Sequence, residues 1–146
     1  MPDSWVFSTL TADDYDAVWE LWELAGLPVK PSGRDSRDQF AAQLAGGLQT
    51  AIGAWTGKQL IGVVVVTHDG RKGWINRLAV HPDSRRQGLG LQLIAESERV
   101  LHESGMQVIA ALIEDWNQAS LALFRRAGYS DFSDIHYLTK REGQDV

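Results

Sequence analysis

The residues with the clearest chemical use lie in one stretch, "HPDSRRQGLGLQLI", residues 81–94. Its second half runs into "LGLQLIAESERVLHES", an amphipathic helix pattern with Leu93, Ile94, Ser97 and Leu101 on one side. First turns of helices favour acids and capping hydroxyls, yet this one is preceded by Arg85 and Arg86 and carries Gly88 and Gly90. A helix N-terminus already holds partial positive charge and unpaired N–H groups. Arginines beside it are repelled until an anion arrives, and glycines let the backbone approach an oxygen closely. The combination suits a pyrophosphate. The plain alternative is a solvated loop whose arginines serve no ligand.

Two familiar phosphate loops do not fit. No Gly-Lys-Ser or Gly-Lys-Thr follows, which excludes a Walker A loop, and G-x-G-x-x-G fails because Leu93 stands at the third glycine. The stretch has instead the form R-x-x-G-x-G from Arg85 to Gly90, directly after "INRLAV" and "HPDS". With that strand included, "LAVHPDSRRQGLG" resembles the signature of the GNAT superfamily of acyl-CoA-dependent N-acyltransferases. Downstream, "NQASLALFRRAGY" is similar to the family's second pattern of Asn, small residue, Leu, aromatic, then Gly-aromatic. The order of elements agrees from Trp5 to about Thr139.

The resemblance implies transfer of an acetyl group from acetyl-CoA to a primary amine, on a small molecule or a peptide. It places the CoA pyrophosphate on the backbone N–H groups of Arg86, Gln87, Gly88, Leu89 and Gly90, with Arg85 and Arg86 adding charge. It pairs the pantetheine arm with main chain at Leu78, Ala79 and Val80, and sets the Leu78 N–H against the thioester oxygen as an oxyanion donor. Asn117 matches an asparagine that contacts the pantetheine, and Phe124 matches the aromatic of the second motif. Asn117 also has a simpler use as a helix N-cap.

The reaction needs an uncharged amine, attack on the thioester and a proton for the departing sulfur. Alkyl amines titrate near about 10, so a base or water chain must take a proton at neutral pH. Glu114 and Asp115, which follow "QVIAALI", are the candidate bases; a solvated loop carboxylate is the competing reading for each. Trp74 and Asn76 stand where some relatives place a carboxylate. Many family members supply the acid from a tyrosine at the position of Phe124, which has no hydroxyl. Tyr129 and Tyr137 are substitutes, although Tyr129 matches an ordinary packing aromatic. Thiols titrate near about 8.5, so the thiolate leaves without strong acid help. With no cysteine and no evident activated serine, direct attack in a ternary complex is preferred to an acyl-enzyme.

The acceptor wall in this family comes from the first two helices and their loop, here "LPVKPSGRDSRDQF". Arg34, Asp35, Arg37 and Asp38 could read a polar acceptor. The preferred reading is structural: Ser36 caps, Asp38 complements the helix dipole, and the arginines lie in solvent. Trp19 and Trp22 read as packing, and Trp116 as the better pocket candidate.

These residues need elements to position them. Residues 5–10 read as a strand. "TADDYDAVWELWELAG" puts Tyr15, Val18, Trp19 and Trp22 on one helical face with Gly26 as C-cap. "SRDQ" has capping-box form, and Phe40, Leu44 and Leu48 make the next helical stripe. From Thr50, "TAIGAW", "LIGVVVVTH" and "GWINRLAV" form an antiparallel meander turning at "TGKQ" and at Asp69-Gly70. After the glycine-led helix, "MQVIAALI" reads as a strand buried on both faces. A helix over 117–127 and two closing strands near Tyr129 and Ile135 end the chain. The expectation is an α/β fold (an α+β mixed sheet), one domain over 1–146. It is GNAT-like, with a central, mostly antiparallel sheet of about six or seven strands, one splayed parallel pair joined by a right-handed crossover, and about four flanking helices.

Composition sets the outer bounds. The hydrophobic share of 44% and charged share of 23% are those of a globular protein. No membrane-length apolar run exists, and "MPDSWVF" lacks the regions of a signal peptide, so a cytoplasmic protein is expected. Net charge is −5, from 14 basic and 19 acidic residues, which argues against nucleic acid as a partner. The four histidines are scattered, so no metal is expected. Relatives are often dimers, which makes a homodimer one expected assembly. The competing class is a non-catalytic acyl-CoA-binding sensor, kept open by Phe124 and the missing strand carboxylate.

Overall fold

The computed structural model describes residues 4–144; residues 1–3 and 145–146, including the start of "MPDSWVF", lie outside it. Among the described residues one sheet forms, in the order β1-β2-β3-β4-β5. Its strands are β1 (Val6–Thr9), β2 (Gln49–Thr56), β3 (Gln59–His68), β4 (Lys72–Val80) and β5 (Val108–Ala111). The first four pair antiparallel, and β4 and β5 pair parallel across α3 (Leu89–Glu103). Helices α1 (Tyr15–Ala25) and α2 (Arg37–Ala45) come before β2, and α4 (Gln118–Arg126) follows β5.

The apolar run of β3 explains the layering. Ile61, Val64 and Val66 join one buried cluster with Leu89, Leu93, Ile94 and Leu101 of α3. Leu60, Val63 and Val65 join the other with Val18, Leu21 and Trp22 of α1 and Phe40 of α2. Alternate side chains therefore meet helices on opposite faces, as a doubly covered strand requires. Gly62 keeps the α3 face close: a Cβ there would lie 2.9 Å from Leu93.

Local signals hold at most boundaries. The Ser36 hydroxyl accepts from the Gln39 N–H at 3.2 Å and caps α2. Gly26, at φ 78°, ends α1 in the left-handed conformation glycine favours. Asp69 accepts from the Arg71 and Lys72 N–H groups at 2.8 and 2.7 Å in the turn before β4.

Three expectations are corrected. The sheet has five strands among the described residues, not six or seven, because residues 129–144 form neither helix nor strand. That segment alternates apolar residues with Ser130, Asp131, Ser133 and Asp134, which favour turns, and its Phe132, Ile135, Tyr137 and Leu138 are exposed. In consequence β5 is an edge strand rather than one buried on both faces, and Val108 is 52% exposed. Finally, α2 stops at Ala45, so Leu48 falls beyond its stripe and is exposed.

Candidate active site

The site begins where β4 loses its neighbours. β4 and β5 pair only from Lys72↔Val108 to Ile75↔Ala111, and beyond Ile75 the parallel strands part. On the other side, Val65 pairs with Asn76 and Val63 with Ala79, so β4 carries one residue more than β3 across that interval. This is a β-bulge. Arg77 and Leu78 have no register partner on either strand, and Arg77 takes a φ of 56°. Ile75 and Leu78 both pack toward α3, whereas the Arg77 guanidinium lies over the Trp22 ring of α1, 4.3 Å from its centroid. The bulge thus turns Arg77 to the face opposite α3 and leaves the Leu78 main chain where the strands have separated.

The strand leads into the arginine-glycine turn. His81 accepts from the Asp83 N–H through Nδ1 at 3.1 Å, and Pro82–Ser84 form one tight helical turn. Arg86 at φ 64° and Gly88 at φ 84° then reverse the chain into α3. Gly88 is the N-cap, no side chain caps the helix, and its first turn holds no acid. Arg85, Arg86, Gln87 and Gly88 are exposed, and neither arginine forms an ion pair among the described residues. The donor set is therefore cationic side chains plus uncapped amides, which fits a diphosphate.

The two glycines have different reasons. A Cβ on Gly88 meets nothing within 4 Å, so its requirement is the left-handed φ. A Cβ on Gly90 would lie 2.8 Å from Leu123 of α4, so that glycine lets two helices approach each other. Leu89 is buried in the core and offers a turn ligand only its backbone.

An open cavity of about 1540 Å³ runs along β5 and on past the parting point; its lining includes Trp22, Asp35, Asn76, Arg77, Glu114 and Phe124. Of the two candidate bases, Glu114 lines it and Asp115 does not. Glu114 accepts from the Trp116 indole N–H at 2.6 Å, while the Asp115 carbonyl accepts from Gln118. Trp116 is exposed and does not line the cavity. The Asn117 side chain caps α4, accepting from the Ser120 N–H at 3.2 Å. Residues 85–90 lie outside the cavity, with 85–88 on open surface.

Phe124 is a buried core residue, edge-on to Tyr129 with ring centroids 5.1 Å apart. The Tyr129 hydroxyl donates to Glu98 at 2.8 Å. Burial first, and then the Glu98 carboxylate, hold its phenol well above the usual tyrosine range. Its proton is engaged elsewhere, as its packing role suggested. Tyr137 lines the cavity from the irregular C-terminal segment.

In the segment between α1 and α2, Arg34 and the α2 residue Arg37 are exposed, whereas Asp35 between them is buried. Asp35 is only 8% exposed. It accepts from the Lys30 N–H at 2.7 Å, and its carbonyl accepts from the Tyr15 hydroxyl at 2.6 Å. Arg34 Nε sits 3.6 Å from one Asp35 oxygen and Arg77 Nη2 lies 3.7 Å from the other. Sequence reasoning passed over Arg77; the signal was a lone cation inside the otherwise strand-forming "WINRLAV".

The profile of the Acetyltransferase (GNAT) family matches residues 15–129. The chain belongs to this family, and it is an acyl-CoA-dependent N-acetyltransferase. Among individual relatives, Acetyltransferase ECA0875 of Pectobacterium atrosepticum is 28% identical over 117 residues, covering 80% of this chain and 82% of that protein. The fold is shared with AAC(6')-Iy in complex with a bisubstrate analogue, CoA-S-monomethyl-acetylneamine, at a TM-score of 0.80 and 17% identity, covering 94% and 99% of the two chains. It is shared also with a predicted acetyltransferase from Clostridium acetobutylicum with acetyl-CoA, at 0.75 and 16%, covering 93% and 96%.

Proposed function

We propose that the protein transfers acetyl from acetyl-CoA to a primary amine by direct attack in a ternary complex, in the cytoplasm. The parting of β4 from β5 beyond Ile75, ending in a cationic turn with no capping side chain, carries this reading. In it, Arg85 and Arg86 and the amides of Arg86, Gln87, Gly88, Leu89 and Gly90 hold the pyrophosphate. The main chain of Leu78, Ala79 and Val80 pairs with the pantetheine, assisted by Asn117, and Phe124 walls the arm. The Leu78 N–H stabilises the oxyanion as the amine attacks. Glu114 receives the amine proton directly or through water, in preference to Asp115, because Glu114 lines the cavity. The sulfur departs as thiolate, with Tyr137, which lines the cavity, the substitute for a side-chain acid.

An acceptor panel tests it: polyamines, amino acids, aminoglycosides and peptides with a free N-terminus, each with acetyl-CoA and thiol detection. At least one amine should raise thiol release well above hydrolysis. Silence across the panel with intact CoA binding would favour the sensor reading instead. Arg85→Ala should weaken CoA binding by about tenfold, the value of a charge-assisted hydrogen bond, with the loss shrinking as salt rises.

A further inference from the structure

Arg77 poses a physical problem that the transfer chemistry leaves unsolved. A non-glycine residue at φ 56° is uncommon; Arg86 holds φ 64° on open surface, whereas Arg77 is held by three contacts. One terminal N–H, at Nη1, donates to the Pro28 carbonyl at 2.7 Å; the guanidinium stacks on Trp22; Nη2 faces the Asp35 carboxylate at 3.7 Å. Each partner belongs to α1 or to the loop after it, so three contacts tie that wall of the cavity to one residue of β4.

The arrangement is not one that stability alone would choose. Nε and Nη2 of Arg77 are buried without a hydrogen-bond partner, and the Asp35 pair is too long to supply one. An apolar side chain would avoid that desolvation and often serves stability as well. Burial pulls the guanidinium below its ordinary pKa, and Asp35 only partly opposes this. A strained, incompletely satisfied cation directly before the oxyanion donor indicates a requirement of function.

We propose that Arg77 is a positioning residue: clamped by Trp22, Pro28 and Asp35, it holds the left-handed bulge that aims the Leu78 N–H, and makes the acceptor wall and the oxyanion donor one mechanical unit. The assignment rests on the transferase reading for its consequence, though not for its geometry. If the clamp is lost, the bulge relaxes and Leu78 turns, which slows attack while the pyrophosphate turn at 85–90 keeps its grip on CoA.

The test uses the full chain with Arg77→Gly, Arg77→Lys and Asp35→Asn. Glycine accepts the left-handed φ without a clamp, lysine keeps the charge without the fork, and asparagine keeps an acceptor for the Lys30 N–H without the charge. With the best amine from the panel, Arg77→Gly should lower kcat by roughly ten- to a hundredfold, the scale expected for a misplaced catalytic group. CoA affinity and the KM for acetyl-CoA should change by about fivefold at most in the same variant, the loss of the one Leu78 pairing, with Arg77→Lys intermediate in kcat. An Arg77→Gly variant with wild-type kcat, or one whose entire loss is in CoA affinity, would overturn the proposal. Should Arg77→Gly fail to fold, Asp35→Asn decides by the same split. If the wild-type protein acetylates no amine, the transferase reading fails by itself. Backbone chemical shifts at residue 77 then decide the clamp: Asp35→Asn should lose the left-handed signature, and an unchanged signature refutes it.

Discussion

At the scale of single residues, Tyr129 and the two turn glycines separate packing from chemistry. Tyr129 ionises with difficulty because its ring is half-buried and its hydroxyl donates to Glu98. Its folded pKa lies above the unfolded value, so its share of stability is complete below about pH 10 and declines as pH rises beyond that. Tyr129→Phe should therefore flatten the alkaline limb of the stability curve, lower stability at neutral pH by about 1 kcal/mol for the lost hydrogen bond, and leave turnover unchanged. Denaturant unfolding across pH 7 to 11, with a thiol assay, checks all three. A large loss of kcat would instead return Tyr129 to consideration as the acid. The glycines should also part company. Gly88→Ala forces a side chain into the left-handed region, at about 1–2 kcal/mol, and should distort the turn that binds CoA. Gly90→Ala meets only the flexible end of Leu123, so its effect should register in melting temperature with CoA affinity near wild type. Calorimetry on both variants distinguishes a phosphate glycine from a packing glycine.

At the scale of elements, the turn before β4 gives a pH dependence with a defined sign. Hydrogen bonds from the Lys72 and Arg71 N–H groups hold the Asp69 carboxyl below the usual carboxylate range. Its contribution is present above the unfolded value of about 3.9 and fades as pH falls through the lower folded one. Asp69→Ala should lose stability at neutral pH and show a shallower acid limb; identical limbs would mean the turn forms without its carboxylate. This turn also shows which elements were legible. Asp-Gly between β-branched runs, Ser36 before Gln39, and Gly26 after α1 are signals carried within a few residues, and each element formed where they stand. The conformation of the arginine-glycine turn follows from equally local signals, with Gly88 in the left-handed region leading into α3. What was not legible depends on partners distant in sequence. Nothing in "GRDS" says that Asp35 will be buried, since its burial comes from Tyr15 and Arg77, 20 and 42 positions away by residue number. Nor does "WINRLAV" disclose a bulge, which exists only in register against β3. The packing requirement at Gly90 was hidden for the same reason, as Leu123 comes from another helix.

At the scale of the whole molecule, the sheet is protected at one end and open at the other. The β1 edge is short, with four residues, and Thr11 just after it starts a capped turn. β5 presents its outer backbone with Val108 exposed, and Leu112 follows, also exposed. Nearby in sequence, the irregular tail exposes Phe132, Ile135, Tyr137 and Leu138, the last at 89%. Unpaired strand edges beside exposed apolar side chains recruit further chains, because pairing satisfies the backbone and buries the side chains together. The tail supplies a strand-length run of the right composition, "IHYLT", and a second copy of the chain presents both halves of such a contact. The protein should therefore associate as its concentration rises, and the net charge of −5 should make that association stronger at high salt, where self-repulsion is screened. Val108→Lys with Leu138→Lys places charge on both halves at exposed positions and should shift the sedimentation profile toward monomer without lowering the melting temperature. Because neither position lies in the 85–90 turn or in the bulge of β4, CoA affinity in the double variant should match wild type. A mass distribution independent of concentration, salt and these substitutions would show that the open edge is closed within the chain itself.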